Sequence, residues 1–133
     1  MSAGPVSDLS EMLAGMEPAL AHEPYKFLPA IPQQEFARKH DQIFALVYEQ
    51  EGLTCIIQAD RNDDSVQFAR ITLSVHSDLE GVGLTAAVAS QLAKAGIACN
   101  VIAGFHHDHL FVPWARREEA LACLQKLSKD ARR

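Results

Sequence analysis

Between Arg70 and Val112 the apolar and polar positions change period several times, and each change marks an element. Ile71, Leu73 and Val75 alternate with Thr72, Ser74 and His76, the period of two expected of a half-buried strand. A polar turn follows from His76 to Gly83. Leu84, Ala87, Val88, Gln91, Leu92 and Ala95 then recur at three and four residues, which predicts a helix with one mostly apolar face, and Gly96 stands where a left-handed cap is usual. Ile97 to Ile102 reads as a second strand and His109 to Val112 as a third, with Ala103 to Asp108 as a bend between them. A last helix is predicted over Arg116 to Lys129, with Ala120, Leu121, Leu124 and Leu127 on one side. Strand, helix, strand, strand, helix is a ferredoxin-like βαββαβ unit one strand short.

The N-terminal half is less regular. Residues 1–6 read as a loose tail. Ser7 or Asp8 can cap a short helix, with Glu11 placed for a capping box and Leu9, Met12, Leu13 and Met16 as its apolar stripe. Pro18 should end that helix. Tyr25 to Leu28 reads as a short strand closed by Pro29 and Pro32, and Gln33 to Asp41 as polar, with one helical turn carrying Phe36. Ile43–Tyr48 and Leu53–Ala59 are strand-like, and the Glu49-Gln50-Glu51-Gly52 link between them predicts a hairpin with Gly52 at positive φ. The polar run Asp60 to Ser65 marks a junction, which divides the chain into an abbreviated half over residues 7–62 and a fuller one over 63–133. The expected class is α+β, with two interlocked halves, an antiparallel sheet and helices on one face. Neither half completes a unit alone, so a joint sheet or a homodimer that pairs edges is expected.

Composition narrows the function. The chain has 133 residues, 48% apolar and 22% charged, with a net charge of −5 and no run of Lys or Arg longer than two residues. That balance disfavours nucleic acid, whose phosphates require a basic surface. No apolar stretch approaches the ~20 residues that span a bilayer, so no membrane partner is expected. The N-terminal residues lack a basic stretch followed by an apolar core, and three cysteines form no even framework. Both features point to the cytoplasm, with Cys55, Cys99 and Cys123 as buried thiols.

ITLSVHS, EGLT (Glu51 to Thr54), GLTAA and NVIAGFHHDH are motifs in which the chain resembles small free-standing bacterial proteins of the ACT-domain family. The acidic, Gly-containing turn HSDLEGVGLTA and the helix ending KAGI are similar to ACT domains in general, although the usual Pro is absent and the turn is longer by Glu80. The resemblance implies two tandem ACT-like halves, the first abbreviated, that bind amino acids or related effectors and act by regulation. It supplies no particular ligand.

Two places can carry ligand chemistry. In the turn, Asp78, Glu80, Gly81, Val82, Gly83 and Leu84 lead into a helix whose first N–H groups suit a carboxylate, with the glycines allowing close approach. Against this, Asp78 and Glu80 can cap that helix themselves and satisfy the same donors. The second place runs from Asn100 to His109. The resemblance implies an acidic residue at the entry to this strand, next to a bound amino acid, and Asp108 fills that role as partner of an ammonium or guanidinium group. Alternatives are a polar hairpin at a subunit interface, made pH-sensitive by His106, His107 and His109, or a metal held by His107 and His109. A third metal ligand has no recognisable spacing, with His76 and His40 as the available choices, so neither metal nor cofactor is expected. Thr54 and Glu51 would join the same cleft if the halves pack as ACT pairs do. Trp114, at the corner between strand and helix, reads as packing or as a partner-facing anchor. No nucleophile elbow, phosphate loop or zinc-protease motif occurs, and no cysteine has an activating neighbourhood, so a non-catalytic module is expected. A degenerate interaction module and, after it, a metal-assisted hydrolase at HHDH are the competing readings.

Overall fold

The structure is a computed structural model that describes residues 4–31 and 33–133. Residues 1–3 of the expected tail, and the expected strand stop at Pro32, lie outside the described residues. The elements in order are α1 (Leu9–Ala14), β1 (Pro18–Leu28), α2 (Gln33–Arg38), β2 (Ile43–Glu49), β3 (Gly52–Gln58), β4 (Phe68–Leu73), α3 (Leu84–Lys94), β5 (Asn100–Ala103), β6 (Asp108–Pro113) and α4 (Arg117–Ala131). They form two compact units. One comprises the described residues up to Ala21 with Ala69–Arg133, and the other is His22–Phe68. The expected α+β, ferredoxin-like class holds.

In the larger unit the strand order is β1-β4-β6-β5. The strand missing from the β4–α4 series is therefore supplied by the start of β1, which precedes that series in the chain. Residues just before β1 join the same edge, with the Ser74 amide donating to the Met16 carbonyl at 2.8 Å. β4 buries Ala69, Ile71 and Leu73 and leaves its intervening residues partly exposed, as the alternation predicts. Those three meet Leu110 and Val112 of β6, Val88 and Leu92 of α3, Ala120 and Leu124 of α4, and Met12 of α1 in one core on the helix-bearing face. Each large side chain so buried contributes roughly 1.5–3 kcal/mol.

Gly96, at φ 72°, ends α3 in a Schellman motif: its amide donates to Ala93 O at 2.9 Å and the Ile97 amide to Leu92 O at 3.0 Å. Ile97 thus serves the helix stop, and the strand expected from residue 97 begins only at Asn100. Arg116 reinforces that end, donating to the carbonyls of Ala95 and Gly96. Trp114 packs against the core with the Arg117 guanidinium 3.9 Å from its ring centre.

In the smaller unit the order is β2-β3-β1, with Tyr25↔Gln58 to Leu28↔Cys55 and Val47↔Thr54 to Glu49↔Gly52 in antiparallel register. Gly52 closes the expected hairpin at φ 150°. Gln33–Asp41 is more helical than its polarity suggested, since α2 is followed by a 3-10 turn over His40–Gln42.

Two expectations near the N-terminus are corrected. Val6 is no loose tail: it bridges in parallel to Ser77, donating to His76 O and accepting from the Asp78 amide, both at 2.8 Å. β1 begins at Pro18, not Tyr25. A proline at the first position of a strand forfeits no interior ladder bond, and Pro24 is fully buried with its carbonyl accepting from the Ala59 amide.

Candidate ligand-binding site

The turn between β4 and α3 is built by its own polar groups. The Asp78 carboxylate accepts from the Glu80 amide at 2.9 Å, and the Asp78 carbonyl accepts from Gly81 at 2.8 Å. Asp78 is thus spent on the turn and not on the helix, as Asx residues in turns often are. The N-cap of α3 is Gly83, which offers no side-chain acceptor and makes no side-chain cap bond. Among the described residues neither Asp78 nor Glu80 is seen to cap the helix, while Asp78 satisfies an amide of the turn itself. The first amides of an 11-residue helix stand at its positive end without a side-chain cap.

The glycines are needed for packing against α1. A Cβ on Gly81 would lie 3.0 Å from the Asp78 carbonyl oxygen and 3.2 Å from Met12 Sδ. One on Gly83, whose φ is 107°, would lie 3.0 Å from Leu9 Cδ2. α1 is placed in turn by Asp8, whose carboxylate accepts from the Glu11 amide at 2.9 Å, and by Ser128 and Arg132 of the C-terminal segment, both of which donate to Ala14 O at 3.2 Å.

Between this turn and the β5–β6 hairpin lies a cavity of about 490 Å³. Asp78, Gly81, Gly83, Leu84 and Thr85 line it on the turn side, Ala103 and Asp108 on the hairpin side, and Met12 from α1. The Asp108 carboxylate accepts from the Ser77 hydroxyl at 3.1 Å, which fixes one of its oxygens at the cavity wall. The lining thus combines an uncapped helix start, two carboxylates and an apolar remainder that includes Leu79, Ala86 and Ala89.

Of the residues singled out in the sequence, Asp78, Gly81, Gly83, Leu84 and Asp108 come together here. Glu80 and Val82 sit in the same turn but are exposed and do not line the cavity. Asn100 is excluded by strand parity. It pairs with Phe111 while Ala103 pairs with Asp108, so Asn100 stands on the sheet face opposite Ala103 and Asp108. Thr54 belongs to the smaller unit, where its hydroxyl donates to Glu49 and it lines a separate cavity of about 360 Å³. Sequence reasoning missed Met12, read only as core, although it is both fully buried and a cavity wall. It also missed Ser77 as the partner of Asp108, a contact across 31 residues with no local signal.

The histidines do different things. His109 Nδ1 lies 2.9 Å from Thr72 Oγ1, and burial, with the nearby charges of Arg70 and His107, holds its pKa below the ordinary value against the opposing pull of Asp108. His76, Phe105 and His106 form a ring cluster with centroids 5.1–6.2 Å apart. Among the described residues no group of three or more His, Cys, Asp or Glu side chains is arranged to hold a metal, and no helix is long and apolar enough to cross a membrane.

Comparison with known proteins bears on the family and the fold. Two family models, both described as ACT domain, match in tandem, one over residues 5–66 and the other over residues 66–126. A Vibrio cholerae protein of unknown function, described as a possible transport protein, is 36% identical with a TM-score of 0.76, over 90% of this chain and 95% of that one. An Agobacterium tumefaciens protein is 20% identical with a TM-score of 0.59, over 80% and 84% of the two chains, and shares the fold. So does the regulatory subunit of aspartate kinase from Thermus thermophilus in its ligand-free form, at 11% identity and a TM-score of 0.63, over 85% and 97%. No curated protein matches. ACT domains are typically regulatory modules that bind small molecules such as amino acids. On the tandem matches and the 36% identical relative, the chain belongs to the ACT-domain family.

Proposed function

We propose that this chain is a non-catalytic regulatory protein that binds an amino acid in the cavity of its larger unit. The observation that carries the reading is the pairing, in one cavity, of the uncapped start of α3 with the Asp108 carboxylate held by Ser77. The first takes the ligand's carboxylate and the second its ammonium group, while Met12, Leu84 and Ala89 surround the side chain. Two carboxylates and no basic group in the lining disfavour acidic amino acids. The protein would work in the cytoplasm as a homodimer. Exposed Leu79, Val82 and Phe105 supply apolar surface for that interface, and the same surface favours an interaction module if no ligand binds.

A thermal-shift series with the twenty amino acids tests the reading. Saturating ligand should raise stability by RT ln(1 + [L]/Kd), about 2.7 kcal/mol at 100 times Kd. Asp108→Asn, which keeps shape and the bond from Ser77, should abolish the shift and leave the ligand-free melting temperature within a few degrees. A panel without any saturable shift, or a shift that survives in Asp108→Asn, would sink the assignment.

A further inference from the structure

The smaller unit holds a cavity that the amino-acid reading does not use. It measures about 360 Å³ and is lined by Phe27 and Leu28 at the end of β1, by Pro29 just after it, and by Glu49 and Thr54 from the β2–β3 hairpin. Register places its polar groups on one face. Glu49 pairs with Gly52 and Val47 with Thr54, so Glu49, Val47 and Thr54 point the same way. Phe27 pairs with Ile56 and joins that face. The Thr54 hydroxyl donates to the Glu49 carboxylate, much as Ser77 does to Asp108 in the larger unit, and so orients it. The Pro29 carbonyl oxygen lies 3.8 Å from where a Gly52 Cβ would be, so the chain after β1 packs against the hairpin turn. The Phe27 ring, 37% exposed, is held edge-to-face against Phe68 at 5.2 Å. None of the five lining residues is basic.

An oriented carboxylate beside an aromatic ring makes a receptor for a cation carried on a hydrocarbon body. We propose that this cavity is a second ligand site, for a small organic cation, either a primary ammonium or a guanidinium on a short aliphatic chain. Charge attraction to Glu49 and contact with Phe27 are both required, so a neutral analogue of the same length should not bind. The site is independent of the amino-acid reading, because none of its groups belongs to the cavity at Asp108.

A titration of the ¹⁵N-labelled full chain with agmatine, followed by amide chemical shifts, tests this. Saturable shifts are expected at Leu28, Gly52 and Thr54. Glu49→Gln, an exposed and conservative change, should weaken that binding at least tenfold. Thr54→Val should weaken it severalfold, and Asp108→Asn should leave it unchanged. 1-Butanol, the neutral control, should give no saturable shift at these amides. Shifts that are absent or linear in concentration at Gly52 and Thr54, an unchanged Kd in Glu49→Gln, or an equal response to 1-butanol would each overturn the proposal.

Discussion

Gly83 joins the backbone of the β4–α3 turn to the packing of α1, and Gly83→Ala tests both at once. Its φ of 107° is a region that a residue with a Cβ enters at a cost of about 1–2 kcal/mol. The new methyl would also stand 3.0 Å and 3.3 Å from the two terminal carbons of Leu9. Leu9 is 37% exposed and can move toward solvent, so that crowding adds about 1 kcal/mol, the low end for an overfilled site. Alanine restricts the unfolded chain more than glycine does, which offsets about 0.5 kcal/mol. The net loss should be about 2 kcal/mol, read by urea denaturation at constant m-value or as a fall in Tm of roughly 6–8 °C. A double-mutant cycle separates the two causes: Leu9→Ala should recover the crowding in the Gly83→Ala background but not the backbone strain, giving a coupling of about 1 kcal/mol. If Gly83→Ala lies within 0.5 kcal/mol of the natural protein, the backbone argument is wrong. If the two changes simply add, Leu9 is not the side chain that excludes a Cβ there.

Two other perturbations follow from single groups. The fold lowers the proton affinity of His109 below its ordinary value near 6.5, first by burial and then by the charges of Arg70 and His107. The unfolded chain therefore takes up this proton first, so stability should be full above pH 7 and decline as the pH falls through 6.5 toward the lower folded value. His109→Gln should flatten that decline in pH-dependent urea melts, and an unchanged slope would remove His109 as its source. Met12→Ala should cost about 2–5 kcal/mol as a fully buried side chain is cut back. On the proposed amino-acid reading it should also widen the cavity at Asp108, so that larger amino acids gain affinity relative to smaller ones in calorimetric titration; uniform weakening would mean that Met12 only packs.

Period and punctuation alone determine a good part of this protein. The alternation through Ile71 and Leu73, the helix face of Leu84, Val88 and Leu92, the stop at Gly96, and the hairpin at Gly52 are all legible because each rests on interactions within a few residues. Asp108 and the turn with Gly81, Gly83 and Leu84 stood out in the sequence through a family resemblance, and the fold brings these four residues to one cavity. Tertiary structure decided the rest. Val6 is ordered by pairing with Ser77, and the missing strand of the C-terminal series comes from residues ahead of it in the chain. Asn100 was placed at the site by proximity in sequence, yet a one-residue parity set by pairing with Phe111 turns it to the other face. Thr54 was assigned to one shared cleft, and the fold gives it a cavity and a carboxylate partner of its own. Strand neighbours and facing are settled by contacts across tens of residues, where burial and ladder hydrogen bonds outweigh anything that the local pattern of apolar and polar residues can express.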